Sequence, residues 1–255
     1  MWLRLRQICL VAEKLAPVEE AVCEILGVKV CYRDPGVGKF GLENALFPIG
    51  NQFLEVVAPV EENTTGGRYL ERRGGDGGYI LVTQCDDHAV RRARVEELGV
   101  RVAYEGDRPE YGLMQLHPKD TGGTFLEIDE QRGPGAYDVD GPWNPAGPDW
   151  KAGQVLDRVG GIAAAEIQCD NPASTAKRWS EIVQIPLDED SAGHALTLDN
   201  AVLRFIDITD GRPEGMSGID VVTTDKEAVL TSAEDAGAVS GDSQIEICGM
   251  RINLV

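Results

Sequence analysis

Basic residues are scarce in this chain: 24 Lys and Arg stand against 43 Asp and Glu, a formal charge of −19. That balance excludes the cationic face that nucleic acid or an anionic membrane surface would require. Apolar runs are short, and none approaches the roughly 20 residues of a membrane span. The six cysteines include no Cys-x-x-Cys pair and fall mostly within predicted strands and helices, which points to reduced thiols and a cytoplasmic protein. The N-terminal Met-Trp-Leu-Arg-Leu-Arg alternates like a strand and lacks the apolar core of a signal peptide.

What is present is an ordinary globular balance, 42% hydrophobic and 26% charged over 255 residues, enough for one or two domains with real cores. It is also repetitive. His117-Pro-Lys-Asp-Thr-Gly-Gly123 carries turn residues, and Thr124-Phe-Leu-Glu-Ile128 follows as a strand. Asn51-Gln-Phe-Leu-Glu-Val-Val57 repeats its Phe-Leu-Glu core, with Glu55 in place of Glu127, and 127 − 55 = 72. Glu24-Ile-Leu-Gly-Val-Lys-Val30 matches Glu96-Glu-Leu-Gly-Val-Arg-Val102, and 96 − 24 = 72 again. Two matches at one offset mark an internal repeat. Gln84-Cys-Asp86 recurs as Gln168-Cys-Asp170, and Phe205-Ile-Asp207 echoes Phe53-Leu-Glu55, which extends the count to four units.

The first two units read β-α-β-β-β, and the last two are shorter and more diverged. In the first the pattern predicts strands over 2–12, 28–32, 43–48 and 52–57 and a helix over 17–26 ended by Gly27. In the second it predicts strands over 78–85, 100–104, 112–117 and 124–128 and a helix over 88–98. The third has strands over 162–169, 195–198 and 202–208 and a helix over 172–183. The fourth has strands over 218–223, 244–248 and 250–254 and a helix over 226–236. The expected fold is therefore α+β: four βαβββ modules forming two paired-module domains, 1–130 and 161–255, with mixed, curved β-sheets. Residues 131–160, rich in Gly, Pro and Trp, read as a linker docked through Tyr137, Trp143 and Trp150.

This arrangement resembles the vicinal oxygen chelate superfamily, the glyoxalase/bleomycin-resistance/dioxygenase proteins, over nearly the whole chain. His117 to Gly123 together with Glu127 looks most like the methylmalonyl-CoA epimerases and related glyoxalase-like proteins. The resemblance implies a cavity inside paired modules, with ligands to a metal on the first and last strand of each. Those positions fall on Gln7, Glu55 and Glu127; the fourth falls on Ile80 by the Gln-Cys-Asp match or on Tyr79 by the strict offset, and neither is the usual imidazole. An all-oxygen set suits one divalent Mg or Mn better than Zn, Ni or Co. A metal-free site, with the two carboxylates facing a polar cavity, is the other reading. The equivalent C-terminal positions, Ala164, Asp207, Ile219 and Asn253, look degenerate and argue against an iron dioxygenase.

The chemistry implied is proton transfer beside a carbonyl of a small oxygenated substrate, by a lyase or by an isomerase such as an epimerase. Glu127 is the expected base and Glu55 its partner as acid or ligand, since two carboxyls sharing a cavity push one pKa toward neutrality. His117 is a further catalytic candidate, being one of only three histidines. Asn44, Tyr79 and Lys119 are candidate substrate contacts, and Arg68, Arg72 and Arg73 candidate partners for an anionic group. His88 and His194 read as surface residues. The alternative function is a small-molecule binding protein that sequesters its ligand without chemistry, and a structural role is the third. Four modules complete two pairs in one chain, so either a monomer or a homodimer fits.

Overall fold

The structure, a computed structural model, describes residues 1–188 and 194–255. The first module runs β1 (Leu3–Val11), α1 (Leu15–Leu26), β2 (Leu42–Ile49), β3 (Gln52–Pro59) and α2 (Thr65–Arg73). The second runs β4 (Gly77–Cys85), α3 (His88–Glu97), β5 (Val102–Arg108), β6 (Tyr111–Leu116) and β7 (Phe125–Gln131). The third comprises β8 (Val159–Gln168), α4 (Pro172–Val183), β9 (Ala195–Thr197) and β10 (Val202–Ile206). The fourth comprises β11 (Gly215–Thr223), α5 (Lys226–Asp235), β12 (Val239–Gly241), β13 (Gln244–Ile247) and β14 (Met250–Leu254). Two mixed seven-stranded sheets result, ordered β2-β3-β1-β4-β7-β6-β5 and β12-β13-β14-β11-β8-β10-β9. The fold is α+β, as the repeat predicts.

Helix boundaries follow local chemistry. Gly27, at φ 68, caps α1 by donating its N–H to the Cys23 carbonyl. Asp87, Asn171 and Asp225 cap α3, α4 and α5 through side-chain oxygens. Three elements depart from expectation, one of them β12, a short strand over Val239–Gly241 where none is expected. The strand over 28–32 shrinks to one bridge, Tyr32 to Leu46, because Asp34 and Pro35 open a 3-10 turn over Pro35–Phe40 and Pro35 has no N–H for a ladder. Conversely, α2 forms where Gly66 and Gly67 lower helix propensity; Thr64 caps it by accepting from the Gly67 N–H at 2.9 Å, and its buried Tyr69 and Leu70 anchor it. The arginines expected to meet an anion are thereby placed on this helix. Arg73 is fully buried, Arg72 lies over the Tyr69 ring at 4.6 Å, and Arg68 donates to Thr65 Oγ1.

The chain divides into two compact units. One comprises Met1–Arg6, Ile80–Asn144 and Ala164–Met216. Its core holds Leu81, Met114, Leu126, Ile128 and Trp179, whose ring meets Phe205 edge-on at 5.4 Å and whose indole N–H donates to the Thr121 carbonyl. The other comprises Gln7–Tyr79, Pro145–Ala163 and Ser217–Val255, with Ile8, Val22, Phe47, Leu54, Ile245 and Ile252 at its centre. The stretch 131–160 buries Trp143 and Trp150, whereas Tyr137 is 62% exposed, its ring centroid 5.7 Å from that of Trp2 in an edge-to-face arrangement. Glycine is required where this stretch touches the first module: a Cβ at Gly147, where φ is 76, would lie 2.6 Å from the Tyr32 ring.

Candidate functional site

In the first module the parallel register pairs Gln7 with Phe53 and Cys9 with Glu55, so Gln7, Phe53 and Glu55 share one sheet face. There Gln7 Nε2 donates to Glu55 Oε2 at 2.8 Å, and Asn44 Nδ2 donates to Glu55 Oε1 at 2.6 Å. Asn44 Oδ1 in turn accepts from the Asp34 N–H at 2.9 Å. All three polar side chains are buried, and the two amides are what make a buried carboxylate tolerable. Trp150 covers the neighbouring Phe53, edge to face at 5.0 Å.

This arrangement does not fit a divalent ion. Both oxygens of Glu55 already receive N–H donors, and Gln7 presents its NH2 rather than its carbonyl oxygen. The opposite amide orientation would set an oxygen against the carboxylate. Among the described residues no group of three or more His, Cys, Asp or Glu is placed to hold a metal.

The second module carries a different network. Its register pairs Ile80 with Phe125, as Gln7 pairs with Phe53, which makes Ile80 the counterpart of Gln7. Tyr79, one residue earlier, is buried with its ring 4.8 Å from Tyr69, and burial pushes its hydroxyl above the usual range. On the hairpin, Gln115 faces Glu127 and Leu113 faces Asp129. Gln115 Nε2 donates to Glu127 Oε2 at 2.7 Å, and the Tyr111 hydroxyl donates to Asp129 Oδ2. Asp129 Oδ1 is buried with no donor, and the Asp129 and Glu127 carboxyls lie within hydrogen-bonding reach.

Two carboxyl groups facing each other without a donor between them share a proton. Burial, opposed by the Gln115 hydrogen bond, raises Glu127 above the ordinary carboxylate range. Asp129 is raised well above it, first by burial and then by the charge of Glu127. Asp129 is completely buried, while Glu127 keeps partial exposure, so burial weighs more heavily against the charged form at Asp129. Sequence reasoning passed over Asp129, although two carboxylates at i and i+2 on one strand necessarily share a face.

The other candidates lie apart from this network. His117 caps a 3-10 turn over Pro118–Asp120, its Nδ1 accepting from the Lys119 N–H at 3.2 Å, and Lys119 is exposed. His88 is buried beneath α3 rather than on the surface; burial and the Arg132 charge both lower its pKa. Asp207 falls beyond the end of β10 and is exposed; the register instead pairs Arg204 with Glu166, ion-paired at 2.9 Å. Asn253 donates to Asp220 and accepts from Gln244, each at 2.8 Å.

Repeated strand-helix-hairpin modules arranged in two such sheets define the vicinal oxygen chelate architecture. Residues 8–183 match the model of the glyoxalase-like domain, more than half of the chain, and the chain belongs to that family. Among solved structures, a hypothetical protein from Staphylococcus aureus shares the fold over 100% of this chain and 99% of its own, at TM-score 0.68 and 13% identity. Methylmalonyl-CoA epimerase from Streptomyces coelicolor, in complex with 2-nitronate-propionyl-CoA, is 23% identical over 51% of this chain and 98% of its own, at TM-score 0.46. The epimerase from Mycobacterium tuberculosis is also 23% identical, over 51% and 88%, at TM-score 0.45. No curated protein matches the chain.

Proposed function

We propose that this glyoxalase-like protein transfers a proton beside the carbonyl of a small oxygenated substrate, as an isomerase or lyase, with Glu127 as the base. One observation carries the reading: Glu127 is a partly exposed carboxyl on the same strand face as the fully buried Asp129, and burial raises its pKa above the ordinary carboxylate range. A base poised nearer neutrality exchanges protons in both directions, as epimerisation requires. Gln115 donates to Glu127 Oε2 and orients the carboxylate. Glu55, held by Gln7 and Asn44, has both oxygens committed, and in this reading it shapes the first module rather than moving the proton.

The test is deuterium incorporation from heavy water into acyl-CoA thioesters, 2-oxo acids and 2-hydroxy ketones that carry a proton beside the carbonyl. Methylmalonyl-CoA, the ligand of a compared epimerase structure, is the first thioester to try. Incorporation that vanishes in Glu127→Gln supports the proposal. Saturable binding of a compound without incorporation would move the reading to a sequestering protein, which the closed network around Glu55 also fits.

A further inference from the structure

We infer that Tyr111 and Asp129 are positioning residues that clamp Glu127 for proton transfer, an inference that rests on the reading of Glu127 as the base. Asp129 is fully buried and cannot touch a substrate, so it acts through its neighbour. Both donors stand on β6 and both carboxyls on the paired strand β7. Gln115 on β6 grips one Glu127 oxygen, and Tyr111, four residues earlier on β6, grips Asp129. Asp129 Oδ1, the oxygen that no N–H or hydroxyl reaches, is left to Glu127.

The far end of this run is anchored. The Tyr111 ring meets Trp143 edge-on at 5.5 Å, and the Arg6 guanidinium lies over the same Trp143 at 5.6 Å. Arg6 donates to the Val139 carbonyl at 2.6 Å and to the Gly141 carbonyl at 2.8 Å. The segment after β7 thus fixes Tyr111, Tyr111 fixes Asp129, and Asp129 with Gln115 fixes the plane of the Glu127 carboxyl. Supporting hydrogen bonds of this kind are what hold a reacting group within a fraction of an ångström.

The side-chain amide of Gln115, followed by NMR, reads the clamp without any substrate. Tyr111→Phe is expected to shift both Gln115 amide protons toward free-amide positions and to speed their exchange with solvent. Asp129→Asn keeps an oxygen for Tyr111 and offers an N–H to Glu127, so it is expected to leave them near wild type, while Asp129→Leu is expected to move them. Unchanged backbone amides at Leu126 and Ile128 show that the strand is intact. Gln115 resonances that stay put in both Tyr111→Phe and Asp129→Leu overturn the inference. With any compound of the panel that exchanges, Tyr111→Phe should lower kcat on the order of 100-fold with KM unchanged, and a wild-type kcat overturns it too. If Glu127→Gln leaves exchange intact while Gln115 moves in Tyr111→Phe, the clamp stands and only the assignment of the base fails.

Discussion

Replacing Asp129 by Asn probes the buried carboxyl pair through stability alone. In an unfolded chain an aspartate titrates near ~3.9; here burial and the charge of Glu127 place Asp129 well above its ordinary value. A raised folded-state pKa means that the folded protein binds the proton more tightly than the unfolded chain. Its contribution is therefore complete below about pH 4 and is lost as pH rises through the folded pKa. Inside that window each pH unit removes about 1.4 kcal/mol. The amide introduced by Asp129→Asn keeps an acceptor for Tyr111 and does not titrate, so the variant should gain on wild type by about 1.4 kcal/mol per unit until the window closes. Urea unfolding at half-unit steps from about pH 4 to about pH 8, with the m-value constant, reads this difference directly. Parallel stability curves for the two proteins would refute the shared proton.

Gln7→Ala and Asn44→Ala each leave a buried Glu55 oxygen without its donor, and each should lose about 1.5–3 kcal/mol. Because both amides serve one carboxylate, the double variant should depart from additivity by at least ~0.5 kcal/mol in urea unfolding, and a simple sum would contradict the network. Trp150→Ala uncovers Phe53 and should lower stability by about 3–5 kcal/mol; a loss under ~1 kcal/mol would mean that the segment after β7 is only loosely docked. Gly123→Ala should be damaging beyond the strain of its φ of 85, because its Cβ would stand 2.2 Å from the Glu214 carbonyl oxygen. Thermal unfolding unchanged by that substitution would refute the close approach.

The modular fold was legible because its signals are local and repeated: the 72-residue offset, helix caps such as Gly27, and turns before each Phe-Leu-Glu strand. What escaped were one element fixed by longer-range contacts and one cut short by a local turn. Helix α2 carries two glycines in its first turn and is stabilised by burying Tyr69 and Leu70, which no propensity reveals. The strand expected over 28–32 has the right residues but is ended by the turn that Asp34 and Pro35 impose. At the candidate site, Glu55 and Glu127 were legible as repeat positions, and the strand register favours Ile80 over Tyr79 as the counterpart of Gln7. The partners of those carboxylates were not. Asn44, Gln115, Tyr111 and Asp129 come from neighbouring strands or from the same strand face, so their roles depend on register, which sequence spacing does not reveal. His88 was misplaced for a similar reason: a helix-start histidine is usually solvated, but here α3 packs it inward.

The most direct test of the account is solvent deuterium incorporation measured side by side in wild type and Glu127→Gln over the same panel of carbonyl compounds. A positioned base contributes about 10²–10⁴-fold, so at least one compound should exchange in wild type and fall by that factor in the variant, with the fold unchanged. Exchange that proceeds at the wild-type rate in Glu127→Gln would contradict the assignment of Glu127 as the base.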